Sequence, residues 1–484
     1  MKKQKISLLM IIFFLSFMKV DAQNANAAIG DVLTLKQAVE IAINNNLVVE
    51  QNDIIKQQAR LNNNQAIDYL LPSINANGQQ GISSGRSLNP YTYQYVNSQI
   101  NTGSYSISGN LVLFSGLQTQ NYIKQTSLAY NASKLDLEQQ KQNITLSVLL
   151  QYLQVASSQD LLDVSRRQAD VDKKQLDRLD LQNKDGALVD LSALSDLKGA
   201  YANDLANIAT AVNTLESAKV SLFQFLNVPY KRDVQYEKIS LDLQMSDYQG
   251  NPDSIYRIAL GTLPSVKSAD LKIRAFEKAV SVARGQYYPT LSFGASIYTS
   301  YSNAATATTP INSFFYDTSR NNYVSTNNGD FYVISKEQNS VTQNISFGDQ
   351  FKNNKYTTFS LSLSIPILNQ LRARNNVKQA KINLENAQYN ATNTRLVIQQ
   401  NVELAYQNMV MANSQLKSDQ DAADGYAESF RIKEIKFNEG VITSDVYLLA
   451  KNNLDRATIS LTIARYNYIF RSRILDYYQG KLNY

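Results

Sequence analysis

Two hydrophobic periods meet near Pro366. Before it, Phe359, Leu361, Leu363, Ile365 and Ile367 alternate with Ser360, Ser362 and Ser364. Side chains on a strand alternate faces, so this stretch predicts a strand with one apolar and one polar surface. After it, apolar or small residues recur in steps of three and four, at positions 377, 380, 384, 387, 391, 394, 398, 402, 405, 409, 412 and 416. That is one face of an α-helix. No Pro follows Pro366 before the end of the chain, and no Gly comes before Gly425. A helix over 371–438 would be roughly 100 Å long at ~1.5 Å per residue, more than a globular domain accommodates.

The same sequence of patterns occurs twice. At an offset of 254, Tyr105, Ile107, Gly109, Leu111 and Leu113 fall on Phe359, Leu361, Leu363, Ile365 and Ile367, Tyr152 falls on Tyr406, and Gly186 falls on Gly440. At an offset of 217, Leu71-Pro72-Ser73-Ile74 falls on Tyr288-Pro289-Thr290-Leu291. The two offsets differ by 37 residues, an insertion between the paired strands of the second half. Each repeat predicts a short helix, a medium helix closed by a Pro, two strands, a long helix, a glycine turn and a return helix. The boundaries expected are 23–228 for the first repeat, with strands at about 73–85 and 104–114 and a long helix at about 117–184. A linker at 229–251 precedes the second repeat, 252–484, with strands at about 290–300 and 356–367 and a long helix at about 371–438. The connections Arg86–Thr102 and Asn303–Lys355 are rich in Asn, Ser, Thr and Tyr and are expected to be exposed loops.

Composition then narrows the chemistry. Lys2, Lys3 and Lys5 precede the apolar run Ile6–Met18, and Val20-Asp21-Ala22 offers small residues for cleavage, so 1–22 is expected to be a secretory signal peptide. Without it, four Lys and one Asp are lost and the net charge falls from +6 to +3, which argues against a nucleic-acid partner. There is no Cys and no His. Thiolate metal sites, zinc hydrolysis and Ser-His catalysis are excluded, and no metal, cofactor or catalytic residue is assigned. Gly81-Ile82-Ser83-Ser84-Gly85 matches a nucleophile elbow by letters only, because it has no His to serve it. Thirty Tyr suit surfaces that are half apolar and half wet, as at a membrane interface.

Four alternating strands per chain have an apolar face that needs either a second sheet or lipid. In an outer membrane, Tyr105, Ile107, Leu111, Leu113, Phe359, Leu361, Leu363 and Ile365 would face lipid. Ser106, Ser108, Asn110, Ser360, Ser362 and Ser364 would line a wet lumen. Four strands cannot close, and barrels begin at about eight, so several copies would share one barrel of eight or twelve strands. The long helices run away from the strands, which puts the glycine turns Gly186-Ala187-Leu188-Val189 and Gly440-Val441-Ile442-Thr443 at the far tip, with apolar groups available for a partner.

The ordered set of motifs resembles the TolC family of outer-membrane efflux and secretion channels. Its carriers are Leu113-Phe114-Ser115-Gly116, Pro366-Ile367-Leu368-Asn369-Gln370, and Gly440-Val441-Ile442-Thr443-Ser444-Asp445-Val446 followed by Leu448, Ala450, Leu454 and Ala457. Arg86-Ser87-Leu88-Asn89-Pro90 resembles the Bacteroidota branch. The resemblance implies a mainly α chain with a membrane β-barrel part: a homotrimer whose twelve-stranded barrel continues into a periplasmic α-helical barrel. It also implies a passive duct in the cell outer membrane, not an enzyme, docked to a periplasmic adaptor (membrane fusion protein) and an inner-membrane transporter, in a tripartite efflux pump or a type I secretion system. Members often carry a ring of Asp after the last glycine turn. Here Asp445 is the only acid there, Val446 and Leu449 stand in the ring positions, and Asp185, Asp190 and Glu439 are further candidates. The alternative is a periplasmic helical scaffold or adaptor, which leaves the four strands unexplained.

Overall fold

The computed structural model describes residues 31–88, 93–97, 99–185, 190–237, 251–318 and 322–481. The expected signal peptide lies outside them, as do Gly186, Ala187, Leu188 and Val189. The first half runs β1 (Val32–Leu33), α1 (Leu35–Asn45), α2 (Leu47–Asp68), β2 (Ser73–Ser83), β3 (Arg86–Leu88), β4 (Tyr95–Asn97), β5 (Ile100–Ser115), α3 (Gln118–Lys184) and α4 (Leu191–Leu226). The second half runs β6 (Gln235–Tyr236), α5 (Pro252–Thr262), α6 (Pro264–Gly285), β7 (Thr290–Ser302), β8 (Thr306–Asp317), β9 (Tyr323–Thr326), β10 (Gly329–Tyr332), β11 (Ser335–Asn344), α7 (Phe347–Asn353), β12 (Tyr356–Ser364), α8 (Arg372–Asn438) and α9 (Ser444–Tyr478). No helix among the described residues is long and apolar enough to cross a membrane.

The chain forms two compact units. One contains the described residues up to Lys56, those of Ser133–Ser268 and those from Thr392, and its described elements are helices apart from β1 paired in parallel with β6. Its helices bury narrow seams. Val148, Tyr152, Val155 and Leu162 of α3 pack with Val39 and Ala42 of α1 and with Leu215, Leu222 and Leu226 of α4. Val402, Met409 and Leu416 of α8 pack with Ile255 and Ala259 of α5 and with Ala457, Leu461 and Leu475 of α9. The repeat offset of 254 carries one seam onto the other: Val148/Val402, Val155/Met409, Leu162/Leu416 and Ala169/Ala423 are all buried. A stripe of Ala and single branched residues is as narrow as a coiled-coil seam, which lets helices pack side by side while their outer surfaces stay polar.

The other unit contains Gln57–Ala132 and Ala269–Ala391, and its centre is an antiparallel sheet of order β12-β7-β5-β2. The segment Asn303–Lys355, expected to be loop, instead carries the β8–β11 hairpin, the smaller β9–β10 hairpin and α7. Its Thr- and aromatic-rich runs, Thr306–Thr309 and Phe314–Tyr316, have strand propensity that a reading for turn residues passes over.

Both strand-to-helix junctions have the same backbone. Gly116 and Leu117 take φ of 62° and 60°, and Gln370 and Leu371, 254 residues on, take 56° and 59°. The left-handed region is costly for side chains with a Cβ, so two such residues in succession mark a built corner. At Gly116 the corner also allows contact. A Cβ there would come within 2.4 Å of the Gly285 carbonyl oxygen at the end of α6, and within 2.7 Å of the Tyr288 Cβ.

Gly116→Ala should therefore lose at least ~1–2 kcal/mol to the left-handed backbone alone, with steric overlap added. Gly425→Ala, in the interior of α8 with open space at its Cβ, should instead stabilise by roughly 1 kcal/mol. Thermal unfolding of the two purified variants checks both signs.

Candidate functional site

The sheet has two chemically distinct faces, set by register. On one face the rows are Ile107–Ile297–Thr357, Gly109–Ala295–Phe359, Leu111–Phe293–Leu361 and Phe114–Leu291–Leu363. The rings of Phe293 and Phe359 stack across this face with centroids 6.3 Å apart. On the other face the rows are Ser108–Ser296–Thr358, Asn110–Gly294–Ser360, Val112–Ser292–Ser362 and Ser115–Thr290–Ser364. Ser106 lies on this polar face beside Tyr298 and Tyr356, and Tyr105 lies on the apolar one.

Two residues expected on the apolar face depart from simple alternation. The β5–β7 register shifts between Val112 and Phe114. Leu113 is the extra residue of this bulge, and Phe114 takes the place opposite Leu291. Ile365 lies just beyond the end of β12. Both side chains are exposed. The outer strands β2 and β12 pair on one side only and are exposed almost throughout.

The second glycine turn closes α8 by pairing its last carbonyls. Gly440 takes φ of 71°, its N–H donates to the Phe437 carbonyl, and the Val441 N–H donates to the Lys436 carbonyl at 2.8 Å. Only a residue without a Cβ adopts this conformation freely, so the glycine sets the turn. Thr443 then stands at the N-cap of α9, with Ile442 half-buried and Val441 exposed. Asp190 caps α4 by accepting from the Ser192 N–H at 2.8 Å. Asp445 lies in the first turn of α9, where the Thr443 hydroxyl and backbone N–H groups hold its carboxyl below the usual range. Asp185, Asp190, Glu439 and Asp445 are all exposed. A groove of about 550 Å³ runs between the ends of these helices, lined among others by Arg178, Asp190, Phe437, Glu439, Val441 and Ile442. Arg178 donates to the Asn438 carbonyl at 2.7 Å, tying α3 to the turn.

Behind the Gly440 turn lies a charged cluster that pattern reading passed over. Lys451 of α9 is 3% exposed, and its Nζ lies 3.0 Å from Asp204 of α4, 2.8 Å from Asp455 and 3.1 Å from Asp172 of α3. Asp204 accepts a hydrogen bond from it. Asp172 meets the ammonium outside good hydrogen-bond geometry, so that contact is chiefly coulombic. Burial is the main effect on Asp172 and pushes its carboxyl up to about 6, against the attraction of Lys451. Asp455 is raised by burial too. For Lys451 burial opposes the charge, but the carboxylates outweigh it and hold the ammonium above its usual range. The available signal was the interruption of the apolar stripe at Tyr447, Ala450 and Leu454 by a lysine.

Comparison with known proteins decides the assignment. A profile described as outer membrane efflux protein matches residues 255–478. The second half of the chain, residues 255–478, belongs to the outer membrane efflux protein family. No curated protein matches the chain by sequence. Solved structures share the fold over nearly the whole length. The outer membrane protein VceC of Vibrio cholerae is 13% identical, with a TM-score of 0.71 over 92% of this chain and 96% of that one. The Campylobacter jejuni CmeC outer membrane channel is 15% identical, with a TM-score of 0.67 over 92% and 86%. The open-state MtrE outer membrane channel of Neisseria gonorrhoeae is 14% identical, with a TM-score of 0.63 over 92% and 88%. As an outer membrane efflux protein the chain has the TolC-like fold, an efflux-channel role, and a place in the outer membrane with a periplasmic helical part. The Lys451 cluster holds α3, α4 and α9 together behind the Gly440 turn.

The cluster gives stability a pH dependence with a definite sign. The folded Asp172 carboxyl binds its proton more tightly than an unfolded one. Its contribution is therefore complete below about pH 4 and is lost as pH rises through 6. Asp172→Asn should stabilise the protein at pH 7.5 by on the order of 1–3 kcal/mol and change little at pH 4. Lys451→Met, which strands three carboxylates, should cost about 3–5 kcal/mol at pH 7.5. Denaturant unfolding at the two pH values checks the sign.

Proposed function

We propose that three copies of this chain close a twelve-stranded barrel in the outer membrane and act as the passive exit duct of a tripartite efflux pump or a type I secretion system. The observation that carries this reading is an unmatched pair of surfaces. The Gly116 junction packs on the end of α6 through Gly285 and Tyr288. Its repeat counterpart at Gln370 leaves Ile367 94% and Leu368 84% exposed. The counterpart of the α6 end is the end of α2, Asp68 to Leu71, and Tyr69, Leu70 and Leu71 are exposed as well. These two bare surfaces are built from equivalent pieces and complement each other between neighbouring copies. Strand directions alternate across β12-β7-β5-β2, so β12 of one copy meets β2 of the next antiparallel, and closure removes every free edge.

In the closed barrel the row Leu111–Phe293–Leu361 meets lipid, and the row Asn110–Gly294–Ser360 lines the lumen. All four strands join their helices at one end of the sheet, and the hairpins of 303–355 leave from the other, which puts the hairpins outside the cell. The tip groove, with exposed Val441 and half-buried Ile442, suits an adaptor, which brings an inner-membrane transporter to the duct. The transporter then selects the cargo. A periplasmic scaffold would leave both sheet edges and the apolar face uncovered.

Two experiments address this reading. The native chain has no Cys, so Leu71→Cys with Gln370→Cys should form a disulfide only between copies and give a covalent trimer on non-reducing gels. Each single variant should run as monomer, and an intramolecular bridge or no bridge overturns the assembly. Separately, Leu361→Arg should reduce assembled protein in the membrane, since a charge at the lipid midplane costs roughly 2–4 kcal/mol. Ser362→Arg should assemble normally and lower single-channel conductance. Equal yields with unchanged conductance would contradict a lipid-embedded pore.

A further inference from the structure

The short helix α7 occupies a place that the duct reading does not require. β12 begins at Tyr356, opposite Tyr298, while β7 continues to Ser302. Beyond Tyr298 the β12-side edge of β7 has no strand partner, and α7 supplies the missing hydrogen bonds. The buried Gln350 side chain accepts from the Ser302 N–H at 2.9 Å and donates to the Ser302 carbonyl at 2.8 Å, as a paired strand would. Asn354 donates to the Ser300 carbonyl at 2.9 Å, and the Thr299 hydroxyl donates to the Phe351 carbonyl at 2.8 Å. Ser346 caps the first turn by accepting from the Asp349 N–H. The helix is therefore fixed on the sheet.

It is fixed on the apolar face. Tyr105, Thr299 and Tyr301 lie on that face, and the rings of Phe347 and Phe351 pack on Tyr105, with Phe347 also on Tyr301 at 5.0 Å. Phe347 and Phe351 are still nearly half exposed, and Gly348, Lys352 and Asn353 of the same helix are exposed too. Lys352 and Lys355 are both exposed. Between this cluster and the junction lie the apolar rows from Ile297 to Leu291, about 20 Å along the strand at ~3.3 Å per residue. Tyr287 and Tyr288 stand exposed at the opposite limit. An apolar band bounded by aromatic groups is the pattern of a wall in lipid.

We propose that α7 is an interfacial helix that sets the depth of the barrel in the outer leaflet, with Phe347 and Phe351 at the acyl boundary and Lys352 and Lys355 against the phosphates of anionic lipid headgroups. This rests on the reading that the apolar sheet face meets lipid. The partner is the headgroup layer, because α7 continues the same face at the edge of its apolar band and, with the turn that follows it, presents Lys352 and Lys355 there beside one carboxylate, Asp349, which accepts from the Ser346 hydroxyl. An aromatic edge with a polar side of net positive charge is the composition of segments that lie in the plane of a bilayer surface.

The absence of native Cys permits a depth measurement. Single-cysteine variants Gly348→Cys, Leu361→Cys and Ser325→Cys would carry a small fluorophore in phosphatidylcholine–phosphatidylglycerol vesicles. Position 348 has open space at its Cβ, and Ser325 lies in the exposed β9 strand. The Leu361 label should lose most of its emission to a nitroxide deep in the acyl chains, the Gly348 label to a nitroxide on the headgroup, and the Ser325 label to aqueous iodide alone. A Gly348 label that behaves like the Ser325 label overturns the proposal while leaving the barrel intact. A Gly348 label shielded from all three quenchers shows that a second copy covers α7, and also overturns it. A Leu361 label untouched by the deep nitroxide removes the barrel reading and this proposal with it. Lys352→Glu with Lys355→Glu should bring headgroup quenching at Gly348 down to its level in pure phosphatidylcholine. No change on that substitution overturns the phosphate contact.

Discussion

Within lipid, a backbone amide or carbonyl has no water to pair with, so a sheet there cannot keep an edge. This constraint organises the chain. Its four strands satisfy one another in the order β12-β7-β5-β2 and leave two bare edges. The chain ends its own exposed edges differently in different places. Where β7 outruns β12, the Gln350 side chain imitates a strand. Where β2 and β12 run bare for their whole length, the alternating strand directions make another copy of the chain the natural cover.

The helical part solves a different problem with a similar economy of contacts. A wall of helices has no thick core, so each long helix buries only a stripe, and most of its surface stays Asn, Gln, Lys and Asp. Burial of small residues along such a seam contributes modestly per position, and the stripe must be long to hold. The repeat makes this visible, since Val148 and Val402, or Leu162 and Leu416, occupy equivalent buried places in separate seams. Near the Gly440 turn the stripe is interrupted by Lys451 and three carboxylates. A buried charge cluster is a weak source of stability but is strongly particular about partners, because each member is costly without the others. It fixes which faces of α3, α4 and α9 meet behind the turn at Gly440.

Much of this was legible in the amino-acid order. Period two against period three to four separates strand from helix at Pro366, and alternation assigns Ser360, Ser362 and Ser364 to one face and Phe359, Leu361 and Leu363 to the other. Gly440 marks a helix end because the left-handed conformation it takes excludes most other residues. The self-similarity at an offset of 254 brings out a duplicated architecture without any template. These are local or periodic properties, and local chemistry dictates them.

Tertiary structure decided what depends on residues distant in sequence. The bulge that shifts the register at Leu113 arises from how β5 pairs with β7, and no spacing in β5 announces it. The hairpins and α7 within 303–355 form from pairings such as Lys336 with Tyr316, in a segment whose composition reads as loop. Asp172, Asp204 and Lys451 belong to three helices and look solvated one at a time. Only the packing of α3, α4 and α9 removes water from all of them together, and that loss of water raises the Asp172 carboxyl well above its ordinary range.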